Sequence, residues 1–390
     1  MSNMVIKTAI VMTLGDPSND PRPNRMINLL KSQGLVVDVM SHPSKKDLNI
    51  RHHLIIPLKY SFPAKVKRRL IRYIVRLVGF LPLNVGLFDK LNRHFFGFNN
   101  EVCHPKTADY NLIVVEDLFL LPLAFEVKKN AKVIFDAREY YPRQSDESLW
   151  WRLTEKPVRQ RFCRSYLHKV DLMLTVSPGL AMEYEKEFAA KPVVYRSTPK
   201  FCVTKPTKTP SDKIRLVHHG IANKNRQLHK MIDVVALLDE RFTFDMYLTG
   251  DSSYIRSLRR HALKSGKVRV LQPVDFDSLH SMLVGYDVGF YFLMPSGFNV
   301  TYNLPNKLFE FIQARLAVAI GPSPDMSALV CQYQCGVVAK NFSIEAMASV
   351  LENLRASDVD RLKANSDLAA KELNFEVESQ VFLNALRRIR

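Results

Sequence analysis

From residue 286 to 321 the chain spells one supersecondary unit: strand, polar loop, helix, strand. Tyr286-Asp-Val-Gly-Phe-Tyr-Phe292 is a short apolar run of the kind buried on both faces of a parallel sheet. A loop carrying Asn299, Thr301 and Asn303 follows, and Pro305 supplies a φ suited to a first helical turn, where its missing N–H costs nothing. Leu308, Phe309, Phe311, Ile312 and Leu316 give that helix an apolar side, and the run 316–320 stops at Gly321-Pro322 as the next buried strand. Such a unit restricts the chain to a parallel α/β sheet. Lys307 and Glu310 fall in the opening turns of the helix. A helix start offers free N–H groups and a partial positive charge, so a phosphate fits there beside Lys307. A lone carboxylate fits a pair of sugar hydroxyls. An ordinary crossover with a solvated lysine and glutamate fits the same letters.

The same pattern recurs along the chain. Residues 5–14 read as a first strand, 15–23 as a polar turn, 25–33 as a helix ended by Gly34, and 35–40 as a second strand. Further strands are predicted at 111–116, 132–135 and 172–176; Ser177 then reads as a helix cap rather than a nucleophile, having no His or Asp partner nearby. Residues 199–213, with three prolines and no apolar periodicity, read as a linker. A second series opens with a strand at 214–220 and continues with strands at 244–249 and 268–274. Helices are predicted at 345–354, 361–373 and 375–390. At 390 residues the chain accommodates two domains.

The wording NLPNKLFEFIQARLAVAIG at 303–321 resembles the donor-site segment of GT-B glycosyltransferases, close to the retaining family-four type, with its Leu-Pro-Asn-Lys followed by two hydrophobic residues and a glutamate. The resemblance is good from residue 214 onward, patchy over 1–43 and 111–199, and absent over 44–110. It implies an α/β GT-B fold, two Rossmann-like doubly wound domains facing a central cleft. Residues 1–199 would bind the acceptor, with the helix 375–390 packing back on them, and 200–374 would bind a nucleotide-sugar. Glu310 would take the ribose hydroxyls. Relatives often carry a second glutamate seven residues upstream, where this chain has Asn303. They also carry an arginine directly after the glycine at position 220; here that residue is Ile221, which leaves Lys224 and Arg226 for the diphosphate. The same family reads the nucleobase with backbone groups, which here map to Gln272 and Val274. Gly220, Asn299, Thr301, Asn303 and Lys307 complete the expected donor site, and Gly15 stands for a glycine-rich loop that approaches the sugar.

Asp136-Ala-Arg138-Glu139 is similar to the family's Asp-x-His-Glu motif, with Arg138 at the usual histidine. Asp136, Arg138 and Glu139 are therefore acceptor-side or transition-state candidates; a capped turn with a salt-bridged loop is the competing reading. Arg226 and Lys307 would stabilise the leaving diphosphate, so neither metal nor cofactor is expected. Asp275-Phe-Asp277 matches a metal-binding pattern in letters but falls where a helix cap belongs. The resemblance implies transfer, with retention, of a UDP- or GDP-linked sugar to a glycan or lipid-linked acceptor in bacterial capsule, O-antigen or exopolysaccharide synthesis. A GT-B-like nucleotide-sugar binder without turnover is the alternative.

Charge bears on the partners. The net charge is +18, which attracts polyanions. Nucleic acid is not expected, because the most basic stretch has no recognition motif or interleaved aromatic platform. That stretch, 59–83, contains Lys65, Arg68, Arg69, Arg72 and Arg76 on one helical side, Val66, Leu70, Ile74, Leu77 and Leu81 on the other, and no acid. It fits an anionic membrane surface at about 1 kcal/mol per cation, or equally a packed surface helix. The expected location is cytoplasmic, peripheral at the inner face of the bacterial cytoplasmic membrane. The first apolar run, closed by Gly15-Asp16-Pro17, reads as a strand and not a signal peptide. Five cysteines without a C-x-x-C pair argue for reduced thiols rather than a disulfide framework or zinc site.

Overall fold

A computed structural model describes residues 7–56 and 109–389. The basic segment 59–83 lies outside the described residues. The chain divides into two compact units, residues 1–195 with 381–390, and residues 196–380.

Among the described residues, the first unit is built on seven parallel strands: β1 Thr8–Met12, β2 Val36–Ser41, β3 His53–Ile55, β4 Leu112–Val115, β5 Lys132–Ala137, β6 Leu172–Thr175 and β7 Val193–Val194. Their order is β3-β2-β1-β4-β5-β6-β7. β4 is buried at every position and β1 at its last four, which is why these strands read as unbroken apolar runs. The first helix, Pro21–Ser32, starts four residues earlier than its apolar spacing suggests. The Asp20 side chain caps it by accepting from the Arg22 N–H, and both prolines fit its first turn. Gly34, at φ +78°, terminates it. Ser177 caps the helix Pro178–Phe188 through the Leu180 N–H, as expected.

The second unit repeats the plan with six parallel strands: β8 Ile214–Ala222, β9 Phe242–Gly250, β10 Val268–Leu271, β11 Val288–Tyr291, β12 Ala317–Ile320 and β13 Gly336–Val338. Their order is β10-β9-β8-β11-β12-β13. In both sheets the strand order reverses next to the first strand, between β1 and β4 and between β8 and β11. That reversal, at the carboxyl ends of the strands, is where open α/β sheets bind ligands.

The helix Asn306–Gln313 lies beside this reversal in the second unit. It buries Leu308, Phe309, Phe311 and Ile312 completely, each contributing roughly 1.5–3 kcal/mol. Gly289 in β11 makes the close approach possible, since a Cβ there would lie 2.7 Å from the Phe311 Cβ. With that face fixed on the sheet, Lys307 and Glu310 are left half-buried on another. Asp275 occupies the cap position of the helix Phe276–Leu283 without a capping side-chain bond.

Candidate functional site

At the β8–β11 edge, Lys307 reaches back to β8. Gly220 has φ +124°, a left-handed conformation that disfavours side chains, and a Cβ on it would lie 2.6 Å from the Lys307 Nζ. Glycine thus serves twice, permitting this backbone conformation within β8 and admitting the ammonium group to the backbone. Burial, then the charge of Arg226, lowers the Lys307 pKa to about 8, against a counter-pull from Glu310. Arg226 closes the short turn Lys224–Arg226 and donates from Nη1 to the Ile221 carbonyl, 3.0 Å away. Lys224 and Ile221 are exposed beside it.

Glu310 stands 3.2 Å, Oε2 to Nε2, from His219, whose ring meets Phe311 edge-on at 5.5 Å. His218, the preceding residue, is fully buried. Its Nδ1 pairs with the Phe290 carbonyl at 3.0 Å, and its Nε2 has no hydrogen-bond partner. Burial, with Lys307 and His219 adding, pushes this imidazole well below the usual histidine range, so it is neutral. Sequence reading missed both histidines because they sit inside a strand, which runs on to Ala222 rather than ending at Gly220; their place one and two residues before that glycine was the available signal.

The remaining donor-side candidates divide. Asn303 donates from Nδ2 to the Tyr291 hydroxyl at 3.4 Å, while its Oδ1 is buried without a partner. Thr301 spends its hydroxyl on the Gly297 carbonyl, in the helical turn Phe298–Thr301 that also carries Asn299. That turn forms where a plain polar loop was expected. Gln272 and Val274 lie in the loop after β10, at the sheet margin, with β9 between β10 and β8.

The first unit presents a different group at its β1–β4 edge. Asp136, next to last in β5, is completely buried and held by Arg22 through two bonds, Nε–Oδ2 at 2.7 Å and Nη2–Oδ1 at 2.6 Å. Arg22 Nη2 also donates to the Tyr195 carbonyl at 3.0 Å, and the guanidinium lies 4.7 Å from the Tyr195 ring centroid. Arg138 pairs with Asp20; burial works against its charge, but Glu116, Asp20 and Asp117 together raise its pKa. Glu139 is half-buried, and burial raises its carboxyl pKa against the pull of Arg138. Gly15 follows β1 with open space where a Cβ would stand. Sequence reading missed Arg22, Glu116 and Asp117. Asp117 accepts from the Leu14 N–H at 2.7 Å, and burial raises its pKa. Among the described residues, no group of three or more His, Cys, Asp or Glu side chains is placed to hold a metal ion.

No family model matches this sequence, and no curated protein matches it. Solved structures do match its fold. Sucrose-phosphate synthase from Thermosynechococcus elongatus superposes with a TM-score of 0.70 at 12% identity, covering 98% of this chain and 99% of that one. Anabaena HepE in complex with UDP and glucose gives a TM-score of 0.67 at 10% identity, covering 98% and 100%. WaaG, a glycosyltransferase involved in lipopolysaccharide biosynthesis, gives 0.63 at 13% identity, covering 97% and 98%. The two doubly wound units and these full-length likenesses place the chain in the GT-B fold.

Proposed function

We propose that this chain is a glycosyltransferase that binds a UDP- or GDP-linked sugar at its β8–β11 edge and passes the sugar to a glycan or lipid-linked acceptor. The observation that carries the reading is the Lys307 ammonium seated against the Gly220 backbone, with Glu310 on the same helix turn. As the anomeric C–O bond breaks, negative charge grows on the departing diphosphate. Lys307, Arg226 and the first N–H groups of the helix Asn306–Gln313 supply cationic and dipolar stabilisation there, without a metal or other cofactor. Glu310 takes the ribose hydroxyls. The likeness of residues 303–321 to retaining enzymes supports retention, and the likeness to HepE, solved with UDP and glucose, and to WaaG, involved in lipopolysaccharide biosynthesis, supports a sugar nucleotide and a bacterial surface glycan.

The test is turnover of UDP-glucose and GDP-mannose by the purified chain, with the product's anomeric configuration read by NMR. Turnover with retention, undiminished by EDTA, is the expected result; activity abolished by EDTA removes the metal-free mechanism. Ile221 and Asn303, at positions where relatives carry an arginine and a glutamate, favour one second reading, a nucleotide-sugar binder without turnover. Tight UDP binding with no transfer selects it.

A peripheral position on the anionic inner face of the bacterial cytoplasmic membrane belongs to the same proposal. Besides the segment 59–83, the short helix Leu149–Thr154 supports it. Leu149, Trp150 and Leu153 there are 62%, 61% and 53% exposed, too much apolar surface for a solvated helix. Arg152, Lys156, Arg161, Arg164 and Lys169 lie in the same stretch, where Glu155, paired with the buried Arg159, is the one acid from 149 to 169. Trp150 fluorescence should shift to the blue on anionic vesicles, less so in high salt, and stay unchanged on neutral ones. Equal flotation of wild type and a variant with Arg68, Arg69, Arg72 and Arg76 changed to glutamine excludes the 59–83 contribution. No helix among the described residues is long and apolar enough to cross a membrane.

A further inference from the structure

Glu116 follows β4 at the point where the first sheet reverses its strand order. Its backbone is fully engaged, the N–H donating to the Met12 carbonyl at 2.9 Å and the carbonyl accepting from the Tyr141 hydroxyl at 3.1 Å. Its side chain is completely buried, and neither carboxyl oxygen has a hydrogen-bond partner. Arg22, in the same cluster, also keeps one buried nitrogen, Nη1, without a partner. Leaving such groups unbonded costs on the order of 1–3 kcal/mol each, which is why nearly all buried polar atoms in folded proteins are bonded. A carboxyl and a guanidinium nitrogen left so at one ligand-binding edge point to a function rather than to packing.

We propose that Glu116 recognises hydroxyl groups of an uncharged sugar ring at the β1–β4 edge. The chemistry of the surroundings selects that ligand class. Burial pushes the Glu116 carboxyl well above the usual carboxylate range; Arg138 and Arg22 pull it down, and Asp136 and Asp20 push it up. A neutral carboxyl presents one O–H donor and one C=O acceptor side by side. Adjacent sugar hydroxyls, each able to give and to take, satisfy both, and Arg22 Nη1 adds a further donor. An anion does not suit the place. Asp20, Glu116, Asp117, Asp136 and Glu139 outnumber Arg22 and Arg138, and both cations already face carboxylates. The part-exposed pair of Arg138 and Asp20 is where this cluster reaches solvent, and a ring must part that pair to reach the buried Glu116 carboxyl. The inference rests on the sugar-transfer reading for the ring's source, either the acceptor or the glycosyl group of the donor.

The experiment uses the full chain with methyl α-glucoside, UDP-glucose and inorganic phosphate as probes. Glu116→Gln keeps a donor and an acceptor; Glu116→Leu keeps neither. The infrared C=O band lost in Glu116→Gln belongs to the Glu116 acid, and in wild type it should shift when a sugar is added. Sugar binding, followed by saturation-transfer NMR, should weaken about tenfold or more in Glu116→Leu and less than about threefold in Glu116→Gln, with UDP affinity equal in all three. A band shift with methyl α-glucoside alone upholds the proposal and assigns the acceptor; a shift with UDP-glucose alone upholds it and assigns the donor glycosyl group. Three results overturn it: no shift with either sugar, a shift with phosphate, or wild-type sugar binding by Glu116→Leu. Should Glu116→Leu fail to fold, the band measurement decides. Failure of wild type to bind UDP sinks the donor-site reading, while the response to methyl α-glucoside still reports on Glu116.

Discussion

Two sheets with one strand order end in opposite electrostatics. At the β1–β4 edge five carboxyl groups gather around Arg22 and Arg138, and ion pairs occupy both cations. At the β8–β11 edge Lys307 feels the charges of Arg226 and Glu310 and stands by the neutral His218, while His219 faces Glu310. The backbone plan therefore sets where a ligand goes, and the side chains after each strand set which ligand it is. An edge rich in neutralised acids suits polyols. An edge with a cation pressed on backbone suits a diphosphate.

The comparison breaks first under Asp136→Asn. This change leaves the buried Arg22 guanidinium without its counter-ion, and the first unit should lose roughly 3–5 kcal/mol in urea denaturation. UDP affinity, which the proposal assigns to the other unit, should hold; a parallel loss would mean the two edges are not independent. Next comes Lys307→Ala. Turnover should fall about 100–1000-fold, as when one transition-state donor is removed, while uridine affinity barely moves. Equal loss of uridine affinity would instead indicate misfolding. Third, Glu310→Ala should weaken nucleotide binding by about 2–3 kcal/mol in calorimetric titration, and unchanged affinity takes Glu310 out of the site.

The smallest effect is one of pH. Lys307 carries its proton below about 8 and loses it above, so kcat/KM for UDP-glucose should decline by up to about tenfold per pH unit beyond that point. The fold responds with the opposite sign. A lysine whose folded pKa is depressed disfavours its charged form in the native state, so the second unit should gain stability as pH rises from about 8 toward 10.5. Lys307→Met should abolish both trends; a declining limb that survives it belongs to another group.

The basic edge was the more legible of the two in the sequence. Lys307 and Glu310 are three residues apart on one helix, Gly220 closes an apolar run, and the helix period alone groups them. The acidic edge has no such local signature. Arg22, Glu116 and Asp136 come from a helix start, a strand end and another strand end, and meet through the pairing of β1 with β4 and of β4 with β5. Glu116 read as the last residue of an apolar strand, and nothing in its neighbours announced an unbonded carboxyl. The alternation of strands and helices was readable for the same local reason, whereas strand order, which creates both edges, is a long-range property.

The division between the units falls inside one helix, Phe375–Ile389: residue 380 belongs to the second unit and residue 381 to the first. Phe382 places its ring 5.8 Å from that of Tyr195, the residue whose carbonyl and ring hold Arg22 against Asp136. During synthesis, then, the unit that begins first is finished last. A ribosome must deliver nearly two hundred further residues before this wall of the acidic edge is in place. Until then the newborn first unit lacks Phe382 and has an incomplete core, while everything the second unit needs, through residue 380, emerges in one uninterrupted run.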